Sequence, residues 1–64
     1  MTAKEADNLK YGSNVITFNG RYQQTGQVSR VTKDHGGVRW IEYHWTAPNG
    51  SHHFGKKRHN SVYL

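Results

Sequence analysis

With 64 residues, no cysteine and 33% apolar side chains, the chain has room for one small domain and no disulfide or thiolate metal site to staple it. Its formal charge is +5 and its pI about 9.9, a balance that suits solubility or a polyanionic partner. No run approaches the ~18 apolar residues of a membrane span and Met1 to Lys10 is too polar for a secretory h-region, so a soluble, cytoplasmic protein with no membrane partner is expected.

Thr2-Ala-Lys-Glu5 has the form of a capping box. Good helix formers continue to Lys10, and Gly12 is placed as a C-terminal stop. Eight residues make a marginal helix without packing, so residues 1–12 are expected to form a short helical turn or flexible arm, peripheral to a domain over residues 13–64. From Asn14 the signals change to those of strands. Val15-Ile-Thr-Phe18 is β-branched and aromatic and ends at Asn19-Gly20; a polar loop carries Arg21 and Tyr22; Gln27-Val-Ser-Arg-Val-Thr32 follows, closed by Asp34-His-Gly-Gly37. Val38 to Thr46 is the longest strand. Ala47-Pro-Asn-Gly50 suits a type I turn with a glycine bulge, and Ser51-His-His-Phe54 reads as the returning strand. Asn60 to Leu64 reads as a short last strand or a single turn.

Five short strands with turns every ~8 to 12 residues predict an all-β fold, a small five-stranded antiparallel barrel of SH3-like loop order, because closure removes edges that so small a sheet cannot otherwise protect. Strand alternation sets Ile41, Tyr43 and Trp45 on one face, with Val28 also assigned to the core, and Val38, Trp40, Glu42 and His44 on the other. Ile16 and Phe18 are expected to be the buried pair of the first strand, and Tyr11, Phe54, Val62 and Tyr63 to close the barrel at its ends.

Gly12-Ser-Asn-Val-Ile-Thr-Phe-Asn-Gly20, the loop, and Gly26-Gln-Val-Ser-Arg-Val31 together resemble the KOW motif of ribosomal proteins and transcription elongation factors. In that family a G-x-x-V start, an apolar strand, a glycine-containing loop and G-x-V-x-x-V build the first hairpin of an SH3-like barrel. The resemblance covers about 20 residues and implies an SH3-like, nucleic-acid-associated domain.

Catalysis has little to build on. There is no cysteine, the serines lie in no motif that supplies a base and an orienting acid, and no two of the four carboxylates have the spacing of an acid–base pair. A metal reading of His44, His52, His53 and His59 fails on alternation, since adjacent His52 and His53 point to opposite faces and no carboxylate or cysteine is near enough in sequence to complete four ligands. No enzyme activity, metal or cofactor is expected.

The charge is unevenly placed. Residues 1–19 balance Lys4 and Lys10 against Glu5 and Asp7, so the whole excess lies in residues 20–64. A basic segment of this kind attracts polyanions. Arg21 with Tyr22, Arg39 with Trp40, Arg30, Lys33 and the Lys56-Lys57-Arg58 run are the candidate nucleic-acid-binding residues, the cations neutralising phosphates and the rings stacking on bases. The expected partner is DNA or RNA; the competing one is an acidic protein surface, on a polymerase, a ribosome or a nucleoid protein, docked by the same basic, aromatic face.

Overall fold

In the computed structural model, which describes residues 1–64, Thr2 caps helix α1 (Ala3–Asp7) through a complete capping box: its hydroxyl accepts from the Glu5 N–H at 3.1 Å and its own N–H donates to the Glu5 carboxylate at 2.8 Å. The helix ends at Asn8, earlier than the run to Lys10 suggests. Four antiparallel strands follow, β1 (Asn14–Asn19), β2 (Tyr22–Lys33), β3 (Arg39–Thr46) and β4 (His52–Arg58), hydrogen-bonded in the order β1-β2-β3-β4. A single 3-10 turn, His59–Ser61, ends the regular structure. No helix is long and apolar enough to cross a membrane.

The fold is all-β, but the expected five-stranded closed barrel is not formed. β4 pairs only with β3, and the last segment contributes one bridge to β1, where Tyr63 exchanges backbone hydrogen bonds with Ile16. The 3-10 turn and the inward-facing Val62 consume most of Asn60–Leu64, leaving a single residue in register with β1. The gap between β1 and β4 is spanned instead by a side chain: the Lys57 ammonium donates to the Phe18 carbonyl at 2.8 Å.

The polar loop expected after Asn19 is a two-residue turn. Asn19 pairs directly with Tyr22, and Gly20 has φ of +62° while Arg21 has none of the left-handed φ, the pattern of a type II′ hairpin turn with glycine first. Its twist matches the strands, so β2 resumes at Tyr22 rather than near Gln27. β2 pairs with β1 as far as Gln27 and with β3 from Gln27 onward, so its two ends serve different partners. Past Val28 it slips register: Val28 faces Tyr43 and Arg30 faces Glu42, leaving Ser29 as a bulge. The extra residue turns Val31 to the same side as Val28, although three positions separate them. The bulged Ser29 hydroxyl lies 2.8 Å from His44 Nδ1.

The core is Ala6, Val15, Val28, Ile41, Tyr43 and Val62, with Met1, Leu9, Val31 and Trp45 packed around it. Val28, Ile41 and Tyr43 are therefore buried as alternation indicates, and Trp45 partly so. In β1 the faces are reversed: Val15 and Thr17 are buried, whereas Phe18 is exposed and packs edge-on against Tyr63 at 5.5 Å. Val15 pairs with Gly26, whose missing side chain leaves room on the inner face for the Tyr43 ring, 3.1 Å from where a Cβ would stand. Of the four residues assigned to the barrel ends only Val62 is buried; Tyr11, Phe54 and Tyr63 are exposed, because an open sheet has no such ends to fill.

Nor are residues 1–10 peripheral. Ala6 is fully buried, the Met1 amine donates to the His59 and Val62 carbonyls, and Asp7 holds Arg39 through two bonds of 2.8 and 2.9 Å. The helix packs against β3 and the 3-10 turn. Removing Met1–Asp7 is thus predicted to lower the unfolding free energy from chemical denaturation by ~2 to 5 kcal/mol, since it removes the buried Ala6 from the core cluster of Ile41 and Val62; a value within ~1 kcal/mol of the full chain would contradict the packing of α1. Tyr43 supplies a second prediction. A Cβ on Gly55 would lie 2.5 Å from the Tyr43 hydroxyl oxygen, so Gly55→Ala must displace the ring and should cost ~1 to 3 kcal/mol in the same assay.

Candidate nucleic-acid interface

Strand alternation gives β3 and β4 an outer face, away from the core, built in rungs. Thr32, Trp40 and Arg58 form one rung; Arg30, Glu42 and Lys56 the next; Gln27, His44 and Phe54 the third. On the first two, the Lys56 ammonium and the Arg58 guanidinium both lie over the Trp40 ring, 5.6 and 5.4 Å from its centroid. Both cations are held against one aromatic ring, a local concentration of positive charge that suits a phosphate. On the third, the His44 ring lies between Phe54 and Tyr11 with centroids 6.4 Å away on each side. Phe54 is 78% and Tyr11 82% exposed, an arrangement of flat rings open to solvent.

Asp34 positions Trp40. Its Oδ2 accepts the indole N–H at 3.0 Å, and its Oδ1 accepts the backbone N–H groups of Gly36 and Val38, at 2.9 and 3.0 Å, which folds the β2–β3 loop around the carboxylate. The indole bond first, and these backbone donors and the Arg58 charge after it, hold the Asp34 carboxyl below the ordinary aspartate range, against a smaller opposing effect of desolvation.

The fold separates the candidates named from sequence. Trp40, Lys56 and Arg58 meet on the outer face. The Lys56-Lys57-Arg58 run is not a loop after Phe54 but the end of β4, so alternation sends Lys57 to the opposite side, where it bonds Phe18. Arg30 is on the outer face but pairs with Glu42 at 3.0 Å. Arg39 is taken by the fold: the Asp7 carboxylate chelates it and raises its pKa, and is itself held below its ordinary value mainly by that bond. Lys33 ends β2, exposed. Arg21 and Tyr22 form the tip of the β1–β2 hairpin, Tyr22 80% exposed, at the opposite end of β2 from the rung of Thr32 and Trp40. They are not brought together with the Trp40 cluster.

Tyr11, His44 and Phe54 were not identified as binding residues. The signal for Phe54 was present in the spacing His52, Phe54, Lys56, Arg58, which shares one face once the strand is known to run on through Gly55. Tyr11 carries no such signal, because a turn residue has no period.

Protonation of Asp34 removes the acceptor that orients Trp40. Its depressed carboxyl stabilises the folded loop above the unfolded pKa, and the contribution is lost as pH falls through the lower native value. The Trp40 indole N–H resonance is therefore predicted to titrate with a midpoint below the ordinary aspartate range while that of Trp45 does not; a Trp40 midpoint at or above that range would contradict the bond. Comparison with protein-family models, with curated proteins and with solved structures returned no match, so the reading of this face rests on its own geometry.

Proposed function

We propose that this protein binds single-stranded nucleic acid across the outer face of β3 and β4, chiefly through the sugar-phosphate backbone, with stacking on exposed rings. The observation that carries the reading is the alternation, rung by rung, of a cation pair over Trp40 with the open aromatic group of His44, Phe54 and Tyr11. Trp40 and His44 stand four residues apart on one face, ~13 Å at ~3.3 Å per residue. Bases paired and stacked inside a duplex cannot reach such rings, which favours single strands. The residues that resemble a KOW motif fold here as the β1–β2 hairpin, and the bridge of Tyr63 to Ile16 lies where a fifth strand would complete an SH3-like barrel. Both observations support a KOW-type, SH3-like ancestry for the domain.

Cation and ring contributions separate by salt. Each phosphate neutralised on a single strand adds about 0.7 to the slope of log affinity against log salt, so Lys56→Ala with Arg58→Ala should weaken binding to every sequence alike and flatten the slope by about 1.4 units. Phe54→Ala should cost ~1 to 3 kcal/mol for single strands and leave the slope nearly unchanged, because stacking releases no counterions. Titration of labelled single-stranded DNA, RNA and duplex at two salt concentrations checks both. Absence of binding at low salt would contradict the proposal.

A further inference from the structure

The gap between β1 and β4 that leaves the sheet open is also a cleft of about 290 Å³. Its inner wall is aromatic: Tyr43 and Trp45 stack at 5.7 Å and 28°, and Trp45 continues onto the His53 ring at 5.2 Å and 17°. Its outer wall, from β1 and the start of β2, is polar, with Thr17, Asn19 and Gln24 facing the space. The amides of Asn19 and Gln24 make no hydrogen bond within the protein, so each presents an unused donor and acceptor. Lys57, whose ammonium spends one donor on the Phe18 carbonyl, stands at the rim with two more.

We propose that this cleft is a nucleobase subsite, taking one base from a single strand whose backbone lies on the outer face. The inference rests on the nucleic-acid reading of that face and adds base selectivity to it. Aromatic rings and the free amides of Asn19 and Gln24 line one space, and a side-chain amide pairs in bidentate fashion with an adjacent donor and acceptor on a base edge. The volume lies just below the range of drug-sized pockets, which suits one base and not a larger ligand. Continuity supplies the path: Phe54 and Lys56 belong to the outer rungs and also border the cleft, because β4 is the edge strand between the two. The positive rim of Lys56 and Lys57 matches the phosphates on either side of an inserted base.

The test uses the full chain with short homopolymers of dA, dC, dG and dT, and with the four nucleoside monophosphates. Wild type should prefer one homopolymer by roughly fivefold or more, the discrimination that a bidentate contact provides. Gln24→Ala should abolish the preference without altering the salt slope, and the matching monophosphate should shift the Trp45 indole resonance but not that of Trp40. Gln24 makes no internal bond, so the variant is expected to fold as wild type does. Equal binding of all four homopolymers, or a preference that survives in Gln24→Ala, would overturn the subsite while leaving the outer-face reading in place. A monophosphate that shifts Trp45 when no homopolymer binds would uphold the cleft and overturn the outer-face reading. Absence of every response would overturn both.

Discussion

The Tyr43 ring occupies the space that a side chain on Gly55 would fill, and the remainder of the molecule is arranged around that substitution of one strand's side chain by its neighbour's. Tyr43 pairs with Val28 on one side and with Gly55 on the other, and its ring also reaches the inner surface of Gly26. It thereby joins three strands with a single side chain. A chain with so few large apolar residues gains from this, because one ring buries area that would otherwise need several aliphatic groups. On the other face of the same strand pair the Lys56 and Arg58 heads lie over Trp40, so core and candidate interface are both built on the pairing of β3 with β4.

Charge is handled by the same alternation. Along β4 the basic run is split: Lys56 and Arg58 stay on the outer face and Lys57 crosses to β1. An inward-pointing lysine on an edge strand also blocks another chain from extending the sheet there, a device that guards against edge-to-edge aggregation. Two other cations are matched by carboxylates, Arg39 with Asp7 and Arg30 with Glu42. The carboxylates nearest the Lys56–Arg58 pair, Glu42 and Asp34, are engaged by Arg30 and by the Trp40 indole, so this pair, like Arg21 at the hairpin tip, has no carboxylate partner of its own. Asp34, which sits near this pair, is engaged by an indole and two backbone donors and by its bonds serves the loop first.

How much of this could be read from the sequence depended on whether a residue's environment is set locally. The capping box of α1, the turn at Ala47–Gly50 and the inner face of β3 follow from neighbouring residues, and each is present as expected. The face of β1 was not legible, since Val15-Ile-Thr-Phe18 offers apolar groups on both sides and the choice is made by Gly26 and Tyr43 from other strands. The bulge at Ser29 was likewise invisible, because only pairing with β3 shows that Val28 and Val31 share a side. The helix was read as peripheral from its length; its burial of Ala6 follows from the sheet being open, a property of the whole chain. For the candidate interface, residue types were legible and their grouping was not. Arg21 and Tyr22 looked like partners of the later basic run, but the length of β2 separates them.

On the proposed reading the outer face of β3 and β4, and not the hairpin tip, meets the nucleic acid. Backbone amide and indole NMR shifts recorded while an unlabelled single strand is added at low salt test it most directly. The account predicts that the largest changes fall on Tyr11, Trp40, His44, Phe54, Lys56 and Arg58, with Arg21 and Tyr22 little affected. Changes confined to Arg21 and Tyr22, or a spectrum that the strand leaves unaltered, would contradict it.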